Sequence, residues 1–67
     1  MNYGKLITEY VVGKGTATKE EIVGYLDQLL GDVDVQNVER ALNVLVDQDV
    51  LEVDYGRYAA GKANGLY

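Results

Sequence analysis

Along the chain, apolar residues recur at helical spacing in three stretches and then alternate with polar ones in a fourth. In the first stretch Leu6, Ile7, Tyr10 and Val11 stand at i, i+1, i+4 and i+5, which predicts a helix from about Tyr3 to Val12 with Asn2 as its cap and Gly13 as its end. The run Gly13-Lys14-Gly15-Thr16-Ala17 reads as a flexible connector. Thr18-Lys19-Glu20-Glu21 then fits a capping box, in which the Thr18 hydroxyl takes the amide of Glu21 and the Glu21 carboxylate takes the amide of Thr18. Ile22, Leu26, Leu29 and Leu30, joined by Val23 or Tyr25, make the buried stripe of this second helix, and Gly31 closes it.

After Gly31 the run Asp32-Val33-Asp34 turns the chain, and Asp34 is placed to cap a third helix from Val35 to about Gln48. Val38, Leu42 and Leu45, with Ala41 and Val46, form its core face. Gln36, Asn37, Arg40, Asn43, Val44 and Asp47 fall largely on the other side. Asp49 occupies the position where glycine or asparagine usually ends a helix. From Leu51 to Ala60 the pattern changes to alternation about Asp54-Tyr55-Gly56, which predicts a two-strand hairpin with an aromatic and basic tip at Tyr55, Arg57 and Tyr58. The expected layout is one domain over residues 1–60 and a flexible C-terminal tail over 61–67, whose small residues favour fraying. Its class is mainly α with a small β-hairpin.

Composition narrows the chemistry. At 67 residues the chain is near the size at which a single core is only marginally stable. It has no cysteine and no histidine, so neither a disulfide nor a structural zinc is available, and no cofactor is implied. No apolar run approaches the roughly 18 residues of a membrane span. The opening Met-Asn-Tyr-Gly-Lys lacks the basic-then-apolar layout of a signal peptide, so the expected location is cytoplasmic. The net charge of −5 is unevenly spread: residues 20–54 carry ten acids against Arg40 alone, while the segments on either side are weakly basic. Such a chain repels polyphosphate at long range, and any nucleic-acid contact must come from local clustering of its few cations.

Taken in order, Thr18-Lys19-Glu20-Glu21-Ile22, Val38-Glu39-Arg40-Ala41-Leu42 and Gly56-Arg57-Tyr58 make the span from Tyr3 to Ala60 resemble a three-helix winged helix-turn-helix domain. Within that superfamily the pattern is similar to small archaeal, viral or plasmid regulators, and more loosely to the C-terminal domain of archaeal minichromosome-maintenance helicases. The resemblance implies a very short strand at Thr16 and Ala17 beside the wing. It also implies a docking mode on double-stranded DNA, with the third helix in the major groove, the start of the second helix on phosphate, and the wing on backbone or minor groove.

Carried onto this chain, that mode nominates Gln36, Asn37, Arg40 and Asn43 as base readers, because amides and guanidinium pair with adenine and guanine edges. Lys14, Thr18 and Lys19 lie near the start of the second helix, where free amides already favour phosphate, and Arg57 and Tyr58 lie in the wing. Against these stand Glu39 and Asp47 on the same helix, Asp34 at its entrance, and Glu52 and Asp54 in the wing. Plain solvated surface explains an exposed Gln, Asn and Arg face equally simply. With no Phe or Trp in the chain, Tyr10 and Tyr25 are expected to be packing residues. Gly13-Lys14-Gly15-Thr16 is a turn and not a phosphate loop. The acid pairs Glu20-Glu21 and Asp32/Asp34 are caps and solvated faces, and with no nucleophile and base pair an enzyme is not expected.

Two functions follow. The first is a DNA-binding module, a small regulator of transcription or replication acting as a homodimer or with a partner protein. The alternative is an acidic protein-interaction module without direct DNA binding, with Val44, Tyr55 and Tyr58 as apolar anchors. The DNA reading requires Arg40, Lys19 and Arg57 on one surface; the other requires a contiguous apolar patch with an acidic rim.

Overall fold

Helix α1 spans Tyr3–Lys14 and turns its expected stripe inward, with Ile7 and Val11 fully buried and Leu6 and Tyr10 half-buried. The computed structural model describes residues 3–63, so the Asn2 cap lies outside the described residues. Gly13 does not end the helix. It continues to Lys14 and stops at Gly15, whose φ of 95° leaves the helical region while its amide still donates to the Val11 carbonyl at 2.8 Å. A helix tolerates an interior glycine at a cost of about 1 kcal/mol, whereas a positive φ cannot be continued.

Strand β1 (Thr16–Thr18) leads directly into α2 (Lys19–Leu30), and the capping box is formed. The Glu21 amide donates to Thr18 Oγ1 at 3.2 Å, and the Thr18 amide donates to Glu21 Oε1 at 2.9 Å. Ile22 and Leu26 enter the core and Val23 and Tyr25 are half-buried, but Leu29 and Leu30 are 53% and 36% exposed. Both belong to the stripe by spacing. Periodicity identifies the face of a helix, not where its cover ends, and the cover of α2 ends at Leu26. At Gly31 the amide donates to the Asp27 carbonyl and closes the helix.

Asp34 caps α3 (Val35–Asp47) by accepting the Gln36 amide at 3.0 Å on Oδ1. Val38, Leu42 and Leu45 are buried, and Ala41 and Val46 are half-buried. The end of α3 is a Schellman motif built without glycine. Asp49 takes the left-handed position at φ 61°, its amide donates to the Val46 carbonyl at 3.1 Å, and the Val50 amide donates to the Leu45 carbonyl at 2.9 Å. Val50 and Leu51 then enter the core, which carries the chain into the wing.

The wing consists of β2 (Leu51–Asp54) and β3 (Arg57–Ala60), joined by Tyr55-Gly56. Both turn residues have positive φ, 51° and 75°, as a type I′ turn requires. β1 pairs with the far side of β3, giving an antiparallel sheet in the order β1-β3-β2. The register aligns Ala17, Tyr58 and Val53 on one face and Thr18, Arg57 and Asp54 on the other. Ala17 is buried and Tyr58 packs against the core, so the first face is the inner one. Three helices and a three-stranded antiparallel sheet, mainly helical, thus make a winged-helix-like arrangement.

The segment after the wing is held at its start. The Gly61 amide donates to the Val50 carbonyl at 2.9 Å and the Ala63 amide to the Asp49 carbonyl at 2.8 Å. Residues 64–67 of the expected tail lie outside the described residues.

Candidate nucleic-acid interface

The four residues expected to read bases share the solvent side of α3. Gln36, Asn37, Arg40 and Asn43 are all exposed, because the core stripe of Val38, Leu42 and Leu45 occupies the opposite side of the helix. Among the described residues, none of the four side chains is engaged in a hydrogen bond or ion pair. They divide into two stripes. Asn37 and Arg40 turn toward α1 and line a groove with Val44 and Gln48, whereas Gln36 and Asn43 do not line that groove.

At the start of α2 the cations are already partnered. Lys14, from the end of α1, donates to Glu21 Oε2, and Lys19 donates to Glu39 Oε2 on α3 at 2.6 Å. The hydrogen bonds to Glu21 and Glu39 raise the two ammonium groups above their ordinary lysine range. Glu21 falls to about 2, because it accepts from Lys14 and also from the Thr18 amide. Thr18 spends its hydroxyl on the helix cap, so the Glu21 amide already has an acceptor where a phosphate oxygen would otherwise meet it.

In the wing, Arg57 points outward between Thr18 of β1 and Asp54 of β2, its two register partners. Through its register partner Thr18 it stands next to the start of α2, where Lys19 lies. Tyr58 is half-buried on the inner face, so the exposed aromatic of the wing is Tyr55 at the tip, 98% exposed. The alternation of the strand contained this distinction: Arg57 and Tyr58 are neighbours in a strand and must face opposite ways. A shallow outer depression of the sheet carries Glu52, Asp54 and Arg57 together.

Cations and carboxylates are therefore interleaved. Lys14 has Glu21, Lys19 has Glu39, Arg57 faces Asp54, and Arg40 has no ion pair among the described residues. Lys19 reaches α3 through Glu39, one residue from Arg40, and Arg57 is the register partner of Thr18, the residue before Lys19. Val44, Tyr55 and Tyr58 do not gather into one patch: Val44 lines the α1/α3 groove, Tyr55 caps the wing and Tyr58 packs inward.

Comparison with known proteins adds nothing to this surface. The chain matches no family model, no curated protein and no solved structure. No helix among the described residues is long and apolar enough to cross a membrane.

The feature that sequence reasoning missed is the groove itself, walled by Gly4, Thr8, Val12 and Gly13 of α1 and by Ala41, Val44 and Leu45 of α3. Val12 and Val44 are 46% and 52% exposed there. Val44 is legible as an apolar residue on the polar side of α3. Its opposition to Val12 is a tertiary relationship that neither helix records alone.

Proposed function

We propose that this domain binds double-stranded DNA in the manner of a winged helix-turn-helix module and serves as a small regulator of transcription or replication. The observation that carries the reading is the solvent face of α3, where Gln36, Asn37, Arg40 and Asn43 stand exposed with their donors and acceptors uncommitted. Side chains of these types make bidentate contacts with adenine and guanine in a major groove. Lys19 at the start of α2 and Arg57 in the wing supply backbone contacts on either side. The carboxylates among them make binding weak and dependent on low salt, since only a few phosphates are neutralised and each adds about 0.9 to the salt slope.

An amide NMR titration of the domain with random-sequence duplex DNA, at low and at high salt, tests this directly. Shifts confined to Lys14–Lys19, Gln36–Asn43 and the neighbourhood of Arg57, fading as salt rises, are the expected result. Absence of any shift at low salt, where attraction is greatest, overturns the reading.

A second reading, a protein-interaction module, is favoured by one observation: the apolar groove between α1 and α3, which DNA has no use for. Its rim carries Lys5 and Arg40 as well as Glu9, so it lacks the wholly acidic surround that a basic partner would select.

A further inference from the structure

The groove between α1 and α3 is open to solvent along the length of both helices, and its floor is apolar. Val12 and Val44 leave about half their surface in water, although Val11 and Leu42 nearby are fully covered. We propose that this groove seats α1 of a second copy of the chain, so that two molecules pair about a two-fold axis with each α1 lying in the other's groove.

Three observations on the two helices support a second copy as the occupant. The first is charge. The chain carries −5 overall, and the segment 20–54 alone carries ten acids against one arginine, so most approaches between two copies bring carboxylates together. The groove is different, since it carries both signs: Arg40 stands on its α3 wall, and Lys5 and Glu9 on its α1 wall. An incoming α1 that runs antiparallel to the resident one carries its own Glu9 toward Arg40, and the two-fold axis makes the same pairing again in the other groove. The surface is thus complementary to itself in charge.

The second observation is length. The α3 wall, from Asn37 to the cap residue Gln48, and α1, from Tyr3 to Lys14, each cover eleven residue steps, about 16 Å. The third is shape. The groove side of α1 carries the larger Tyr3, Lys5 and Glu9, but Gly4, Thr8 and Gly13 lie among them and around Val12, and where side chains are this small two helix axes can approach to about 8 Å. In a two-fold pair the same small residues meet from both sides.

Thirteen residues line the groove, against roughly 20–30 per side in a standard stable interface, so the pair is a weak and reversible dimer. A seated copy covers Asn37 and Arg40. Self-association and base reading by those two side chains therefore compete, while Gln36 and Asn43 stay outward in both states. The inference does not depend on DNA binding.

The test is sedimentation equilibrium of the intact chain from about micromolar to millimolar concentration. A reversible monomer–dimer equilibrium is expected. Val44→Asp and Val12→Asp, both at exposed positions, should each raise the dissociation constant at least about tenfold while the circular dichroism spectrum is retained. Arg40→Glu should weaken the dimer, and adding Glu9→Arg to it should restore association. Isotope-filtered NOEs between Val12 and Val44 methyls of differently labelled copies give the same answer without a substitution. A monomer at every concentration overturns the proposal, as does a dimer that persists unchanged in Val44→Asp or one without those NOEs.

Discussion

Lys19 Nζ lies 2.6 Å from Glu39 Oε2, joining the first residue of α2 to the middle of α3 across the turn between the two helices. The contact uses a cation that the winged-helix docking mode assigns to phosphate. A phosphate that approaches α2 must therefore displace Glu39 as well as counterions. Glu39→Gln should raise affinity for duplex DNA at low salt and steepen the log–log salt dependence by about 0.9, the contribution of one more neutralised phosphate. Fluorescence anisotropy across a salt series measures this, and an unchanged slope would show that Lys19 does not reach the backbone. Removing Lys19 in the Glu39→Gln background should abolish the gain.

The proposed base readers and phosphate binders should respond differently to truncation. Arg40→Ala should weaken a preferred site by about 1–3 kcal/mol and relax base preference, whereas Lys19→Ala should weaken all sequences alike. Competition binding against a panel of duplexes separates the two patterns. Equal, sequence-independent losses from both variants would remove Arg40 from the groove.

The capping box sets a pH response of defined sign. Glu21 titrates near 2 in the folded chain because Lys14 and the Thr18 amide donate to its carboxylate, against an ordinary value of 4.5. A folded pKa below the unfolded one means that the unfolded state binds more protons in between. The stabilisation is complete above about pH 4.5 and is lost as pH falls from there toward 2. Following the Glu21 side-chain carboxyl by NMR should give a midpoint well below that of a solvated glutamate. Glu21→Gln should flatten this part of the acid-unfolding profile; a normal midpoint for Glu21 would mean that neither the Lys14 contact nor the cap persists in solution.

The sequence alone specifies those features whose cause is local. The capping box, the Asp34 cap, the strand alternation about Tyr55-Gly56 and the stripes Ile7/Val11 and Val38/Leu42/Leu45 all depend on residues within two turns of one another, and all are present. What the pattern does not contain is where one element stops covering another. Leu29 and Leu30 continue the α2 stripe by spacing but project past its cover, and Gly13 has the composition of a helix end without the backbone of one. In the candidate site, exposure of Gln36, Asn37, Arg40 and Asn43 follows from periodicity. The ion pairs that occupy Lys14 and Lys19 do not, because Glu21 and Glu39 reach them from seven and twenty residues away.

Two tyrosines expected to pack do so on each other. The rings of Tyr10 on α1 and Tyr25 on α2 stack with centroids 4.3 Å apart and planes 15° from parallel, and both pack against the core. A stacked pair contributes about 0.5–1.5 kcal/mol beyond the area it buries. Tyr25→Leu, which retains apolar bulk, should therefore lower stability by about 1 kcal/mol in urea unfolding. A double-mutant cycle with Tyr10→Leu should return a coupling of the same size, and no coupling would mean that the rings act only as bulk.

Asp49 and Gly61 form the junction that holds the end of α3 to the end of the wing, and they should respond to substitution in opposite directions. Asp49 holds a left-handed backbone at φ 61°, which costs an L side chain about 1 kcal/mol relative to glycine. Its carbonyl meanwhile accepts the Ala63 amide, a bond that a side-chain change leaves intact. Asp49→Gly should therefore stabilise the domain, with the gain reduced by the extra freedom of glycine in the unfolded chain. Gly61 presents the reverse case. A Cβ there would lie 2.2 Å from the Asp49 carbonyl oxygen and 2.8 Å from its carbon, and both are backbone atoms that no rotamer can move. Gly61→Ala must push β3 away from the α3 end, straining the Gly61–Val50 and Ala63–Asp49 hydrogen bonds, at a cost of about 1–3 kcal/mol. In so small a domain that is a large share of total stability. Urea unfolding of both variants checks the pair, and a Gly61→Ala protein as stable as the parent would show that the wing does not close against Asp49 in solution.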